Sequence, residues 1–332
     1  MVMTAVGTLN SDQVSATLAA AITAPSLHNS QPWRFRCTPT AIELHADEAR
    51  TLPAADPDGR ELRIACGAAL MNLRLAVTGL GIHPVVRLLP DPRRPTLLAT
   101  VRPQGRRPVT PEELALLAAI PRRRTNRRPF TSVPVPPRVI NGLRRAAKTE
   151  QSWLARLGPA QLPLLRSMVA QAHTIQQRDP AFRTEWDAWT GRGERELVGV
   201  PARSSGPAPE PQDEWVLRDF SGGTARTRVP GKDFEPNPLI VAVGSFHDLP
   251  LAQLRAGQAT QRVLLTATAE GLSASFISQV VEVPGVRRQL RGLVGGGLWP
   301  QVVLRLGYGS LTPPTPRRPL TEVVDDGVLG MV

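Results

Sequence analysis

Residues Ala24 to Phe35 read A-P-S-L-H-N-S-Q-P-W-R-F. Ser26, His28, Asn29, Ser30 and Gln31 can each donate or accept hydrogen bonds, while Pro25 and Pro32 fix φ and push the residues before them towards extended backbone. A segment of this kind cannot continue a helix. Its amides and hydroxyls suit a polar, heteroatom-rich ring, with Trp33 and Phe35 anchoring the loop in apolar surroundings. A helix-to-strand loop that only satisfies its own turns uses the same residue types, so the pattern alone leaves both readings open.

The segments around this loop have clear periodicities. Ser11 to Ile22 reads as a helix capped by Ser11 or Asp12, with Val14, Leu18, Ala21 and Ile22 on one face. Two strands follow, Trp33 to Cys37 and Ala41 to His45, then a long helix from Arg60 to about Thr78 in which Asn72 is the odd polar residue. Val85 to Leu89 and Leu97 to Val101 read as strands, and Pro111 to Ile120 as a helix capped by Thr110. The next stretch, Ile120 to Phe130, is I-P-R-R-R-T-N-R-R-P-F, with five arginines within seven residues. Like charges at this density need solvent or an anion, and a hydroxyl among guanidinium groups suits a phosphate dianion. A basic helix end that complements the macrodipole is the competing explanation.

P-S-x-H-N-S-Q-P-W-x-F resembles the flavin-contacting loop of the nitroreductase family, and the form with His before Asn is most similar to the Acg-type branch of actinobacteria. The resemblance implies that FMN is the cofactor and that Pro25, Ser26, His28 and Asn29 face its ring. It extends to the arginine stretch, which is similar to the family's R-R-S-x-R-x-F entrance. Arg123, Thr125 and Arg127 take the phosphate and pyrimidine-edge places, although Thr replaces Ser and Phe130 comes one residue late. Arg127 or Asn126 would then stabilise the charge that develops on the reduced ring. Ser273 to Val281, S-A-S-F-I-S-Q-V-V, resembles the strand and loop that present backbone N–H groups to flavin N5, matching Ile277, Ser278 and Gln279. G-Y-G around Tyr308 and P-R-R-P at Pro316 to Pro319 resemble the closing strand and basic tail, which makes Arg317 and Arg318 candidate phosphate ligands. His28 is a candidate either for binding the flavin or for donating a proton to substrate.

Val139 to Ala147, Leu162 to Ile175 and Leu251 to Ala269 read as further helices, and Leu239 to Ser245 and Val302 to Leu306 as strands. The composition changes between Gly191 and Pro238, where Pro and Gly accumulate; Trp186, Trp189, Trp215 and Phe220 suggest that this excursion docks as a lid. Shifting the chain by 190 residues superimposes Gly67 on Gly257, Ala69 on Ala259, Leu75 on Leu265, Thr78 on Thr268 and Gly81 on Gly271, which is a duplication signal. The polar loop and the arginine stretch each occur once, so one complete flavin site is expected.

Composition excludes other classes. The 332 residues are 41% hydrophobic, no apolar run approaches a membrane span, and no leader-like N-terminus is evident, so a cytoplasmic protein without a membrane partner is expected. The net charge of +12 is nearly all arginine, and helix-turn-helix, zinc-finger and aromatic RNA-binding signatures are missing, which argues against a nucleic-acid partner. Cys37 and Cys66 lie far apart and suggest neither a metal site nor a disulfide framework. Walker A, G-x-S-x-G and H-E-x-x-H are absent, and Gly295-Gly296-Gly297 lacks dinucleotide-binding spacing.

The expected fold is therefore α+β and nitroreductase-like, internally duplicated so that one monomeric chain mimics the family homodimer. Residues 1–108 form the first half and 109–332 the second. The expected function is NAD(P)H-dependent reduction of a small nitro or quinone-like acceptor through FMN, with NADPH or NADH stacking transiently. The alternative is a protein that stores or sequesters FMN under the lid.

Overall fold

The computed structural model describes residues 5–225, 228 and 233–325. In chain order the elements are α1 (Ser11–Ala21), β1 (Trp33–Cys37), β2 (Ile42–Ala46), α2 (Arg60–Gly79), β3 (Ile82–Leu88), β4 (Leu97–Arg106) and α3 (Pro111–Ala119). There follow α4 (Pro137–Thr149), β5 (Trp153–Arg156), α5 (Leu162–Arg178), α6 (Pro180–Trp189), β6 (Leu239–Ser245) and α7 (Pro250–Ala269). The chain closes with β7 (Ser273–Phe276), α8 (Gln279–Glu282), α9 (Pro284–Leu293), β8 (Trp299–Gly307) and α10 (Leu320–Val323).

The strands form two antiparallel sheets, β1-β2-β4-β3 and β5-β6-β8-β7, with the same rank order in each. A 20-residue helix precedes the third strand of each set, α2 in one and α7 in the other. Each runs into its strand through a left-handed glycine, Gly81 at φ 74° and Gly271 at φ 78°, a conformation in which a Cβ would be strained.

The two long helices cross where neither carries a side chain. A Cβ on Gly67 would lie 2.2 Å from the Leu254 carbonyl oxygen, and one on Gly257 would lie 2.1 Å from that of Ile64. The contact is reciprocal under the same shift of 190 residues that aligns the sequence repeat. Arg63 Nε donates to Oε1 of its own counterpart, Gln253, at 2.6 Å. A residue that meets its own equivalent lies on a local two-fold axis, as in an isologous interface. Because the helices interlock, Leu254 of α7 packs in the core under the first sheet and Ile64 of α2 in that under the second. Asn72 joins three helical segments: its Nδ2 donates to the Ala20 carbonyl at 3.0 Å and its Oδ1 accepts from Gln261 at 2.7 Å.

Some local details differ from the sequence expectations. The cap of α1 is Asn10, not Ser11 or Asp12: its side chain accepts from the Gln13 amide at 2.9 Å, and Gln13 returns a bond to the Asn10 amide at 3.0 Å. Thr110 caps α3 as expected. Strand β5 and helix α9 were not anticipated; β5 has four residues, too few to establish an alternation. Cys37 and Cys66 are buried free thiols.

Two segments run outside the sheets. After β8 the tail returns to the first sheet, where Val324 bridges Phe35 and the Asp325 amide donates to the Phe35 carbonyl at 2.8 Å. The excursion between α6 and β6 docks through Trp215 and Val216, which pack with Leu165, Val169 and Val280. Residues 226, 227 and 229–232 of this excursion lie outside the described residues.

Substituting Gly67→Ala is expected to cost about 3 kcal/mol, because the new methyl meets backbone and not a side-chain tip that could swing away. Gly67→Ala and Gly257→Ala share one contact, so the double variant should lose less than the sum of the two single losses in chemical denaturation.

Candidate functional site

A cleft that encloses about 930 Å³ of space, open to solvent, lies beside the helix crossing. Ile64, Ala65 and Ala68 of α2 and Thr260 of α7 form its apolar floor, with Phe276 and Val302 from the second sheet. Small alanines on α2 leave the room that larger residues would fill.

The polar loop supplies one wall, Pro25 to Asn29. His28, Asn29 and Gln31 all have positive φ, 49°, 56° and 54°. Side-chain bonds hold this uncommon backbone: Ser26 Oγ accepts from the Gln31 amide at 2.9 Å, and Gln31 Oε1 accepts from the Arg318 amide at 2.8 Å. Ser26 thus both holds the turn and borders the cleft. Ser30 and Gln31 do not line the cleft; Ser26, His28 and Asn29 do.

The opposite end is cationic. Arg123, Thr125 and Arg127 all line the cleft, because the stretch is extended, with Thr125 bridging Ala274 of β7, and alternate side chains face the same way. The residues between them face elsewhere. Asn126 is a stitch: its Nδ2 donates to the Ser310 carbonyl at 2.9 Å and to Ser273 Oγ at 3.1 Å, and its Oδ1 accepts from the Arg128 amide. Phe130, late in the motif, packs where a Cβ on Gly307 or Gly309 would collide with its ring, which accounts for the G-Y-G sequence.

Arg317 joins Arg123 at the C-terminal end of α1, where helix carbonyls lack intrahelical partners. Arg317 donates to the carbonyls of Ile22 at 2.9 Å and of Thr23 and Ala24 at 3.1 Å, and to Asn29 Oδ1 at 2.9 Å. Arg123 reaches only the Thr23 carbonyl, at 3.3 Å, and its buried Nε and Nη1 have no partner among the described residues. Burial, with Arg317 and Arg124 nearby, lowers the Arg123 pKa to about 9, and burial lowers that of Arg317 to about 10. Both remain charged at neutral pH, and an anion would relieve both the repulsion and the orphaned donors. Arg318 does not line the cleft. It is buried in the opposite direction, bonding Asp47 at 3.1 Å and the Glu322 carbonyl at 2.7 Å, and so fixes the tail.

Of the matched residues near β7, only Ser278 lines the cleft. Ile277 is a core residue whose amide donates to the Val303 carbonyl at 2.9 Å, and Gln279 is buried at the start of α8.

The excursion closes over the loop. Asn29 Nδ2 donates to the Gly199 carbonyl at 3.0 Å, Gln31 Nε2 to that of Leu197 at 2.7 Å, and Arg127 Nη1 to that of Ser204 at 3.0 Å. Phe220 lies under the Arg127 guanidinium, 4.1 Å from ring centre to carbon, and Trp186 meets both Phe220 and His28. Two charged cleft residues, Arg218, ion-paired to buried Glu282, and Glu61 in the first turn of α2, belong to none of the motifs singled out in the sequence.

This fold and its cation-lined cleft define a nitroreductase-like α+β protein. No family profile matches the chain. The "Putative NAD(P)H nitroreductase Rv3131" of Mycobacterium tuberculosis is 38% identical over 323 residues, covering 95% of this chain and 92% of its own. The "Putative NAD(P)H nitroreductase acg" of the same organism is 30% identical over 319 residues, covering 95% and 96%. A crystal structure described as a putative nitroreductase from Anabaena variabilis shares the fold across 90% of this chain and 88% of its own, with TM-score 0.52 and 11% identity. The chain belongs to the nitroreductase family and, within it, to the branch that includes Acg.

Burial pushes the His28 imidazole down from its ordinary 6.5 to about 4, opposed by Glu282 and assisted by Arg218 and Arg127. It is neutral at physiological pH and cannot act there as an imidazolium acid. The unfolded chain binds this proton more readily than the folded one between pH 6.5 and 4, so His28 should remove about 1.4 kcal/mol of stability for each unit by which pH falls through that window. Denaturation of wild type and His28→Gln across this range should show the variant with the shallower slope.

Proposed function

We propose that the cleft holds one FMN per chain and that the protein is an NAD(P)H-dependent reductase of small nitro or quinone-like acceptors. The observation that carries this reading is Arg123: a buried guanidinium in the cleft, beside Arg317, with two N–H-bearing nitrogens unpartnered. A phosphate dianion meets that demand in charge and in geometry. The residues fit the group. Arg123 would bond the phosphate, with Thr125 beside it and Arg317 adding its charge, while Pro25, Ser26, His28 and Asn29 would border the ring together with Ser278. When bound, FMN supplies two-electron redox chemistry. The chain supplies the setting: Arg127, fixed over Phe220 and bonded to Ser204, is a preorganised cation for charge that develops in the cleft. Val200, Arg218 and Phe220 of the excursion form a lid that excludes water. Asn126 and Arg318 act as positioning residues under the loop and tail.

We also infer that the two sheets and their crossed helices rebuild a family homodimer within one chain, with residues 1–108 and 109–332 as its halves and the C-terminal tail exchanged onto the first. The reciprocal contact between α2 and α7 supports this, and a monomer in solution is expected. The reading fits the reducing cytoplasm, where nicotinamide donors are abundant and Cys37 and Cys66 stay thiols.

The test is anaerobic stopped-flow absorbance of FMN-loaded protein mixed with NADPH and then NADH. Rapid bleaching of the flavin band is expected; a yellow protein that neither donor bleaches would point to sequestration, and a colourless one that binds no FMN would end the reading. Arg123→Ala should weaken FMN binding by about 10²-fold, as the loss of a charge-assisted bond requires.

A further inference from the structure

The cleft residues include four arginines, Arg123, Arg127, Arg218 and Arg317, and a single carboxylate, Glu61. Glu61 sits in the first turn of α2, its amide held by Asp56 Oδ1 at 2.9 Å, and its side chain is 13% exposed. One carboxyl oxygen accepts from Arg60. The Arg60 guanidinium is itself committed to the carbonyls of Gln301 at 2.7 Å and Val281 at 3.1 Å, so its position is fixed. The other oxygen of Glu61 has no partner among the described residues.

Glu61 also lines a second, much smaller pocket, with room for about one water molecule, whose walls include Ser30, Arg50 and Asp56. With Leu27 it belongs to both spaces and forms part of the partition between them. A carboxyl so placed can give a proton to one compartment and recover it from the other.

Its environment sets the proton affinity that this task needs. Burial raises the Glu61 pKa to about 7; Arg60 opposes the rise, and Asp56 and Glu282 add to it. Arg218, the lid cation on this side, is paired with Glu282, and His28 is neutral. Near neutral pH the carboxyl is therefore partly protonated, which is the condition for an efficient general acid.

We propose that Glu61 is the proton donor to the acceptor oxygen during reduction in this cleft, and that it is reprotonated through the small cavity on its Asp56 side. The proposal rests on the reductase reading above. Conversion of a quinone to a hydroquinone takes up two electrons and one proton as a hydride equivalent, which originates from the reduced nicotinamide, and one further proton. The Glu61 O–H bond breaks, an O–H bond forms on the acceptor, and the resulting carboxylate takes its next proton from water. The nitro-to-nitroso step has the same demand, a hydride equivalent and one proton, and both hydrogens leave with one nitro oxygen as water.

Two measurements test this. In protein labelled with ¹³C at glutamate side chains, one carboxyl resonance should titrate with a midpoint of about 7 and disappear in Glu61→Gln. In FMN-loaded protein, Glu61→Gln should slow quinone turnover about 10²-fold more than it slows turnover of ferricyanide, a one-electron acceptor that takes up no proton. Glu61→Asp should recover part of the difference. Equal slowing of both acceptors, or no carboxyl titrating near neutrality, overturns the assignment while leaving the reductase reading intact. A wild-type flavin that no nicotinamide bleaches removes the reductase reading and the proposal together.

Discussion

The structure depends on one backbone contact, the crossing of α2 and α7 at Gly67 and Gly257. Only hydrogen at both positions lets the helices approach until each reaches the other's carbonyl groups. This closeness puts Ile64 into the core of the second sheet and Leu254 into that of the first, so each sheet's core includes a residue from the other's long helix. It also places the alanine-rich face of α2 beside Thr260 of α7, and the cleft floor is made where they meet.

Electrostatics impose the second constraint. Burying arginines is costly unless their donors are satisfied, and Arg218, Arg228, Arg262, Arg305 and Arg318 are each paired with a carboxylate, whereas Arg123 and Arg317 at the cationic end of the cleft have only carbonyl and amide oxygens as partners. The end of α1 offers the carbonyls of Ile22, Thr23 and Ala24, and Arg317 takes all three. Arg123 is left with one long bond to Thr23. The imbalance between these neighbours makes the cationic end of the cleft an incomplete structure waiting for an anion. Glu61 is the opposite case, an acid with one guanidinium partner and one free oxygen, set where burial holds its proton near neutrality.

Much of this was legible in the chain. The polar loop, the alternation of Arg123, Thr125 and Arg127, and the repeat at 190 residues are all local patterns, and local patterns survive in sequence because backbone geometry repeats them. The long helices were equally plain, since each carries apolar residues over five turns or more. Other features were not legible. Strand β5 is too short to show a period, and the cap on α1 was displaced by one residue because Asn10 competes with Ser11 and Asp12 for the same role. Arg318 reads like Arg317, yet one turns to Asp47 and the other to the cleft. Adjacent residues on an extended tail point to opposite sides, and no local rule says which side holds the ligand.

By itself, then, the sequence determined the longer segments and the repeat at 190 residues, which follow from periodicity and spacing, while the motif residues came with the family resemblance those motifs carry. Tertiary structure alone decided which members of those motifs share a cleft, that Asn126, Ile277, Gln279 and Arg318 lie outside it, and that Arg218 and Glu61 lie within it. It also decided that His28 is neutral and that the tail returns to the first sheet. These outcomes turn on burial and on contacts between residues far apart in the chain, and the desolvation that shifts a pKa or orphans a donor exists only once those contacts are made.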